Sequence, residues 1–248
     1  MKRHPWKFLE RRWFGRWGQS ARTACPVAGH PGQRATEICG LAPARHLLVE
    51  TTMHLGYIRT MHAVNSEVPA TLLEERRNKG WDRFDEVWDG VLHMVPSPSR
   101  THQRLELRLA VALMPIAERR GLEVFVEFGL VDPPRGWHDF RQPDLSIVRA
   151  EHLSERAIEG RAELVVEILS PNDESRDKLP FYARVGVREV WLIDPMTHAV
   201  EVHALQGERY AVVSPRLGVV RSPSLGIDLQ VLAGRVLRLI DGEHAAEL

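Results

Sequence analysis

Four short apolar runs constrain this chain more than anything else in it: residues 123–131, 144–148, 164–169 and 190–194, each rich in Val, Ile, Leu or Phe and set off by Gly, Pro or Asp. Runs of that length and branching, bounded by turn formers, read as strands. Between the third and fourth, residues 175–185 repeat helically through Leu179, Tyr182 and Val185 before Gly186, which makes a strand, helix, strand unit. Upstream, residues 103–120 place Leu105, Leu109, Ala112, Leu113 and Ile116 at helical spacing, with Gly121 as a C-terminal cap and Pro115 expected to kink the late turns. Residues 84–94 read as a hairpin turned at Asp89-Gly90, and segments 199–204 and 209–213 flank Gln206-Gly207 as another. The expectation is a mixed α/β fold with helices covering the sheet.

At 248 residues the chain is long enough to bury a substantial core. No apolar run approaches the ~18 to 20 residues of a membrane-spanning helix, so no membrane partner is expected. Cys25 and Cys39 have no second pair or His pair at ligand spacing, and they read as free thiols of a cytoplasmic protein. The balance of 33 basic and 33 acidic residues hides an asymmetry: residues 1–60 carry ten Lys or Arg against three acids, leaving the remainder acidic by seven. That argues against a large non-specific nucleic-acid footprint, although a local basic strip would suffice. Arg104 and Arg108 sit one turn apart and read as a solvated helix face. Residues 1–65 show no sustained period and are expected to be an N-terminal extension, disordered or upstream of a true start at Met53 or Met61. Arg11-Arg12 superficially resembles an export signal, but the following residues 15–20 lack the apolar region it requires. The expected domain spans 66–240, followed by a tail, 241–248.

Two carboxylates stand where an apolar core offers no structural reason for them. Asp144 follows Gln142-Pro143 and opens the run Leu145-Ser146-Ile147-Val148, and Glu167 interrupts Leu164-Val165-Val166-Glu167-Ile168-Leu169. An acid inside such a strand is costly to bury unless a partner or cation compensates it. Phosphodiester hydrolysis uses a hard cation, held by carboxylate oxygens, to polarise the phosphoryl group and lower the pKa of water. Lys178, on the helix after the Glu167 strand, is placed to lean back over that strand's end and steady developing charge.

The segments Gln142-Pro143-Asp144-Leu145-Ser146-Ile147-Val148, Leu164-Val165-Val166-Glu167-Ile168-Leu169-Ser170-Pro171, Lys178-Leu179-Pro180-Phe181-Tyr182-Ala183 and Gly186-Val187-Arg188-Glu189-Val190-Trp191-Leu192-Ile193-Asp194-Pro195 resemble, in order, the Uma-two family of endonucleases. Asp85-Glu86-Val87-Trp88-Asp89-Gly90 and Ser97-Pro98-Ser99 with His102 extend the resemblance to roughly residues 70–235. It implies the PD-(D/E)XK superfamily: a restriction-endonuclease-like core with a mixed central β-sheet flanked by helices and added β-hairpins, magnesium (or manganese) as cofactor, DNA as substrate, and a homodimer by analogy. Residue by residue, it makes Asp144 and Glu167 the metal-binding acids. The superfamily's usual lysine slot, two positions after the second acid, holds Leu169, and the resemblance moves that role to Lys178 on the following helix.

Two supporting residues carry two readings each. Glu86 is either a third carboxylate near the metal or a hairpin residue in an ordinary ion pair. His102 either contacts phosphate and shuttles a proton or anchors a helix start. Ser170 reads as a helix cap answered by Asp173, Glu174 competes with Asp173 and Asp177 for an acid position before the lysine and receives no role, and Tyr182 and Trp191 read as core. The rival to a nuclease is a non-catalytic nucleic-acid or protein-binding module that retains the fold.

Overall fold

The computed structural model describes residues 61–63, 69–171 and 174–248; the expectations for residues 1–60, including Cys25 and Cys39, and for Asn172 and Asp173 lie outside the described residues. The first strands are β1 (Met61–Ala63), β2 (Glu86–Trp88), β3 (Val91–Met94), β4 (Glu123–Val126), β5 (Leu130–Asp132), β6 (Gly136–Arg141), β7 (Leu145–Val148) and β8 (Ile158–Glu159). They are followed by β9 (Leu164–Ile168), β10 (Glu189–Ile193), β11 (Val200–Gln206), β12 (Arg209–Val212), β13 (Val219–Arg221), β14 (Asp228–Leu232), β15 (Val236–Asp241) and β16 (His244–Glu247). The helices are α1 (Ala70–Lys79), α2 (Arg100–Glu118) and α3 (Leu179–Val185). Among the described residues, none is long and apolar enough to cross a membrane.

The central sheet runs β12-β11-β10-β9-β7-β4, with β9 and β10 parallel and the other neighbours antiparallel. Strand alternation gives it two apolar faces. Leu145, Ile147, Leu164, Val166, Ile168, Trp191 and Ile193 pack with Leu105, Leu109 and Leu113 of α2. Val148, Val165, Val190 and Leu192 pack with Phe181 and Tyr182 of α3 on the other face. Burial on both sides explains why these strands read as continuous apolar runs.

Local signals account for the elements that carry the site. The Ser99 hydroxyl accepts from the His102 amide at 3.2 Å and starts α2. Pro115 stands on the exposed side of that helix, which continues to Glu118. The β2–β3 turn puts both Asp89 (φ 49°) and Gly90 (φ 85°) in the left-handed region, as a two-residue hairpin requires. Between β9 and β10 the expected single helix is divided into a 3₁₀ turn, Ser175–Lys178, and α3. Pro180 supplies the reason: it lacks an amide hydrogen and is tolerated only in a first turn, so α3 begins at Leu179. Lys178 therefore lies on the 3₁₀ turn, not within the helix, and the residues that start the two pieces, Glu174 and Lys178, make no side-chain cap bond.

Two further departures concern strands. The run 123–131 is two strands in two sheets, because Glu127 takes a φ of 49° and turns the chain out of the central sheet. Its amide bonds the Asp144 carbonyl at 3.0 Å, which sets this bend beside the mouth of β7. Residues 219–247 form a meander, β13-β14-β15-β16, whose Leu229, Leu237 and Leu239 extend the α2-side core. Residues 244–247, expected within a tail, are β16 of that sheet.

The remaining sheet, β1-β3-β2-β6-β5-β8, brings the β2–β3 hairpin to the α3 side. Its polar clasp is Asp139 of β6, wholly buried, which accepts from Arg141 at 3.0 Å and the Asp89 amide at 3.1 Å and pairs with Arg184 of α3. Burial alone would raise this carboxyl, but the amide and the guanidinium groups hold it below its ordinary value. Its contribution to stability is present above the unfolded carboxyl pKa and lost as pH falls. Asp139→Ala leaves Arg141 buried without its anion, and urea denaturation is expected to register a loss of about 3 to 5 kcal/mol.

Candidate active site

Strand register brings the two sequence-predicted acids together. Leu145 of β7 pairs with Val166 of β9, so the next pair along this antiparallel ladder sets Asp144 level with Glu167. Asp144 Oδ2 accepts from the Ile168 amide at 2.6 Å, a bond that fixes its carboxylate at the strand end. Val165 faces the α3 side, and the period of two sends Glu167 to that same face.

Lys178 and Tyr182 meet Glu167 there. Lys178 Nζ lies 3.2 and 3.1 Å from Glu167 Oε1 and Oε2, and the Tyr182 hydroxyl donates to Glu167 Oε1. Glu86 joins them from β2, with Oε1 at 2.9 Å from Lys178 Nζ. Its carboxylate is fixed from behind, Oε1 accepting from the Gln142 amide at 2.8 Å and Oε2 from Trp88 Nε1 at 2.6 Å. Glu86 is thus a hairpin residue in an ion pair, and its partner is the same lysine that meets Glu167.

On the α2 side, His102 Nε2 approaches Asp144 Oδ2 to 3.2 Å. His102 thus starts the helix through its amide and faces the site through its ring. Burial would lower the imidazole pKa, but the hydrogen bond and charge of Asp144, reinforced by Glu106 and Glu167, raise it above its ordinary value. Glu174, left without a role above, meets His93 Nδ1 at 3.1 Å, and His93 pairs across the hairpin with Glu86.

The electrostatics follow from one excess. Asp144, Glu167 and Glu86 bring three carboxylates to a single ammonium, and two of the acids are buried. Desolvation, opposed by Lys178 but reinforced by Asp144 and Glu86, pushes Glu167 up to about 8. Lys178 goes the opposite way to an ordinary buried lysine. Burial would lower it, and the surrounding acids hold it well above its usual range. Both shifts express buried negative charge in surplus of its cation.

The Uma2 family model, described as "Putative restriction endonuclease", matches residues 73–234. The chain belongs to the Uma2 family. The match takes in every residue of the cluster and ends before β15. Among solved structures the chain is similar to a "putative nuclease belonging to DUF820" from Anabaena variabilis, at 20% identity and a TM-score of 0.47, over 57% of this chain and 83% of that one. Among curated proteins, none matches.

Within this Uma2 chain, sequence reasoning missed three participants. Tyr182 was read as core, and its ring is fully buried, yet its hydroxyl is a ligand of Glu167. Trp88 holds Glu86, and Glu106 lies buried on α2 near Asp144. Only Glu106 left a visible signal, an acid one turn from His102 beside the apolar Leu105 and Leu109.

The donor chemistry fits a hard divalent cation, because surplus carboxylate charge is what such an ion compensates. Among the described residues no three His, Cys, Asp or Glu side chains are gathered to hold an ion by themselves. Magnesium does not require that; it keeps several waters and is commonly held by one or two carboxylates.

The raised acids predict a pH dependence for the metal-free protein. Glu167, moved from 4.5 to about 8, and Glu106, moved from 4.5 to about 7, both bind protons more tightly folded than unfolded. Their stabilisation is complete below the unfolded value and lost as pH rises through the folded one. Urea midpoints without metal should fall from pH 5 to pH 9, and Glu167→Gln should flatten most of that slope. An unchanged slope in the variant would show that Glu167 does not carry it.

Proposed function

We propose that this Uma2 protein is a magnesium-dependent endonuclease that hydrolyses phosphodiester bonds in DNA, with manganese as an alternative ion. The carrying observation is the meeting of Asp144, Glu167 and Lys178 at one end of two adjacent strands, with Lys178 Nζ 3.1 Å from Glu167. Family membership supports the nuclease class, and the surplus of buried carboxylate supports the cation.

In this reading Asp144 and Glu167 hold the ion. When bound, it would polarise the phosphoryl group and make water a better nucleophile near neutral pH. The Ile168 amide and His102 keep the Asp144 carboxylate in position. Tyr182 keeps Glu167 in position. Lys178 donates toward the phosphate and stabilises the negative charge that grows on it, while Glu86 retains the ammonium at the site. His102, whose ring faces the site beside Asp144, is the group placed to pass a proton to the leaving oxygen. Cutting both strands of a duplex calls for two such sites, which favours a homodimer.

Incubating the full chain with supercoiled DNA, single-stranded DNA and RNA, each with magnesium or manganese, tests the proposal. Metal-dependent cleavage of DNA is expected. Nucleic-acid binding without turnover under every condition would instead identify the non-catalytic module, and preferential cleavage of RNA would move the substrate.

A further inference from the structure

Glu106 is the one acid on the buried face of α2, where its neighbours are His102, Leu105, Leu109 and Ala110. It is only 5% exposed, and its Oε1 has no hydrogen-bond partner. A buried carboxylate oxygen without a donor carries a desolvation penalty, which the charges of His102 and Arg83 offset only in part. Other buried acids of this chain show the contrast. Glu189 accepts from Trp191 Nε1, Ser222 Oγ and the Ser224 amide, and Glu163 is paired with Arg149 at 2.8 Å. Those two are structural acids with their oxygens satisfied.

The charge that acts most strongly on Glu106 is that of Asp144, followed by Glu127, whose own carboxylate is taken by Arg83 at 2.5 Å. One helical turn earlier His102 reaches the same Asp144, so Glu106 stands on the face of α2 that meets this carboxylate. Two acids in one buried place repel each other unless positive charge stands between them. Direct ligation by both would need three donors around one point, and no such group is formed among the described residues. A hydrated cation satisfies both conditions, because the waters it keeps are strong donors that reach an acceptor lying beyond the ligating oxygens.

We infer that Glu106 is an outer-sphere acid of the cation site: it accepts hydrogen bonds from the water shell of a divalent ion held by Asp144, on the α2 side of the cluster. This rests on the nuclease reading of the site and adds to it a residue that touches the ion's waters instead of the ion. Lys178 and Tyr182 close the α3 side of the cluster through Glu167, and Glu106 is the corresponding acceptor on the α2 side.

Manganese binding to the full chain, measured by calorimetry and by the electron paramagnetic resonance of the free ion, tests this without any turnover. Glu106→Leu should weaken binding by roughly 10- to 100-fold, the usual effect of removing an outer-sphere partner. Glu106→Gln should fall between that variant and the parent, because its amide oxygen still accepts but carries no charge. Thermal melting of the metal-free proteins should show neither variant less stable than the parent, as expected for a buried acid whose Oε1 has no hydrogen bond to lose. Both variants binding manganese within twofold of the parent would overturn the inference while leaving the nuclease reading standing. If Asp144→Asn binds as tightly as the parent, or the parent binds no manganese, the cation site itself is refuted and this inference falls with it.

Discussion

Cleavage by the Asp144→Asn and Glu167→Gln proteins is expected to fall by roughly 10³-fold or more, since a catalytic ion supplies several kcal/mol of transition-state stabilisation and each ~1.4 kcal/mol is a factor of ten. Both changes are close in volume and keep a hydrogen-bonding oxygen. Asp144→Asn can still accept from the Ile168 amide, so the strand end should stay in place. Glu167→Gln can still meet Tyr182 and removes the acid that burial already disfavours, so its fold should survive as well. The loss should therefore appear in turnover, with near-parental melting curves. Each variant needs both measurements, single-turnover cleavage at saturating magnesium and a thermal melt. Parental turnover in both would remove the two acids from the chemistry and with them the proposed function.

The second large effect is on stability. Lys178→Met leaves Glu167 and Glu86 buried around a thioether, and removing one partner of a buried ion pair costs about 3 to 5 kcal/mol. Part of that cost is avoidable, because Glu167 can take up a proton instead of remaining an uncompensated charge. The penalty should accordingly be smaller near pH 6 and larger near pH 9. Adding Glu167→Gln to Lys178→Met removes the orphaned charge, and the double variant should recover much of the loss. Chemical denaturation of the four proteins at both pH values completes the cycle. Equal penalties at the two pH values, or additive effects in the double variant, would mean that Lys178 and Glu167 are not coupled as their distance implies.

These two experiments separate roles that the geometry joins. Lys178 is at once the compensating charge of the folded site and the group proposed to face the phosphate. A strand lysine two positions after Glu167 would have pointed to the same face along a rigid element. Leu169 occupies that position, and the ammonium comes instead from a 3₁₀ turn held against β9 by Tyr182 and Glu86. A charge delivered from a separate element depends on packing for its position, so substitutions at Glu86 or Tyr182 bear on Lys178 as much as on their own bonds.

Buried strand acids also show how far a desolvation argument reaches. Glu167 drew attention because an acid interrupts an apolar run, yet Glu189 in β10 is equally buried and is fully satisfied by Trp191 and two serines. The penalty locates acids that need a partner. What distinguishes Glu167 is the identity of its partners, a lysine shared with a second acid and a third acid at the same level of the sheet. Those partners lie 11, 81 and 23 residues away along the chain, and no local pattern relates them.

By itself the sequence determined the elements and their faces. Period-two and period-3.6 apolar spacing, the Asp89-Gly90 turn and the Gly186 stop of α3 act within a few residues, so they are readable from the chain. Asp144 and Glu167 were legible for the same reason, as charges out of place in apolar strands, and Lys178 by resemblance. Tertiary structure alone decided the rest: the passage of residues 123–131 from one sheet to another at Glu127, the meander that completes the α2-side core, the recruitment of Tyr182, and the buried Glu106 with its unbonded Oε1. These depend on strand register and on which surfaces face each other across the sheet. Such relations arise from packing between distant segments, where the cost of burying a charge is set by neighbours that no local stretch of sequence specifies.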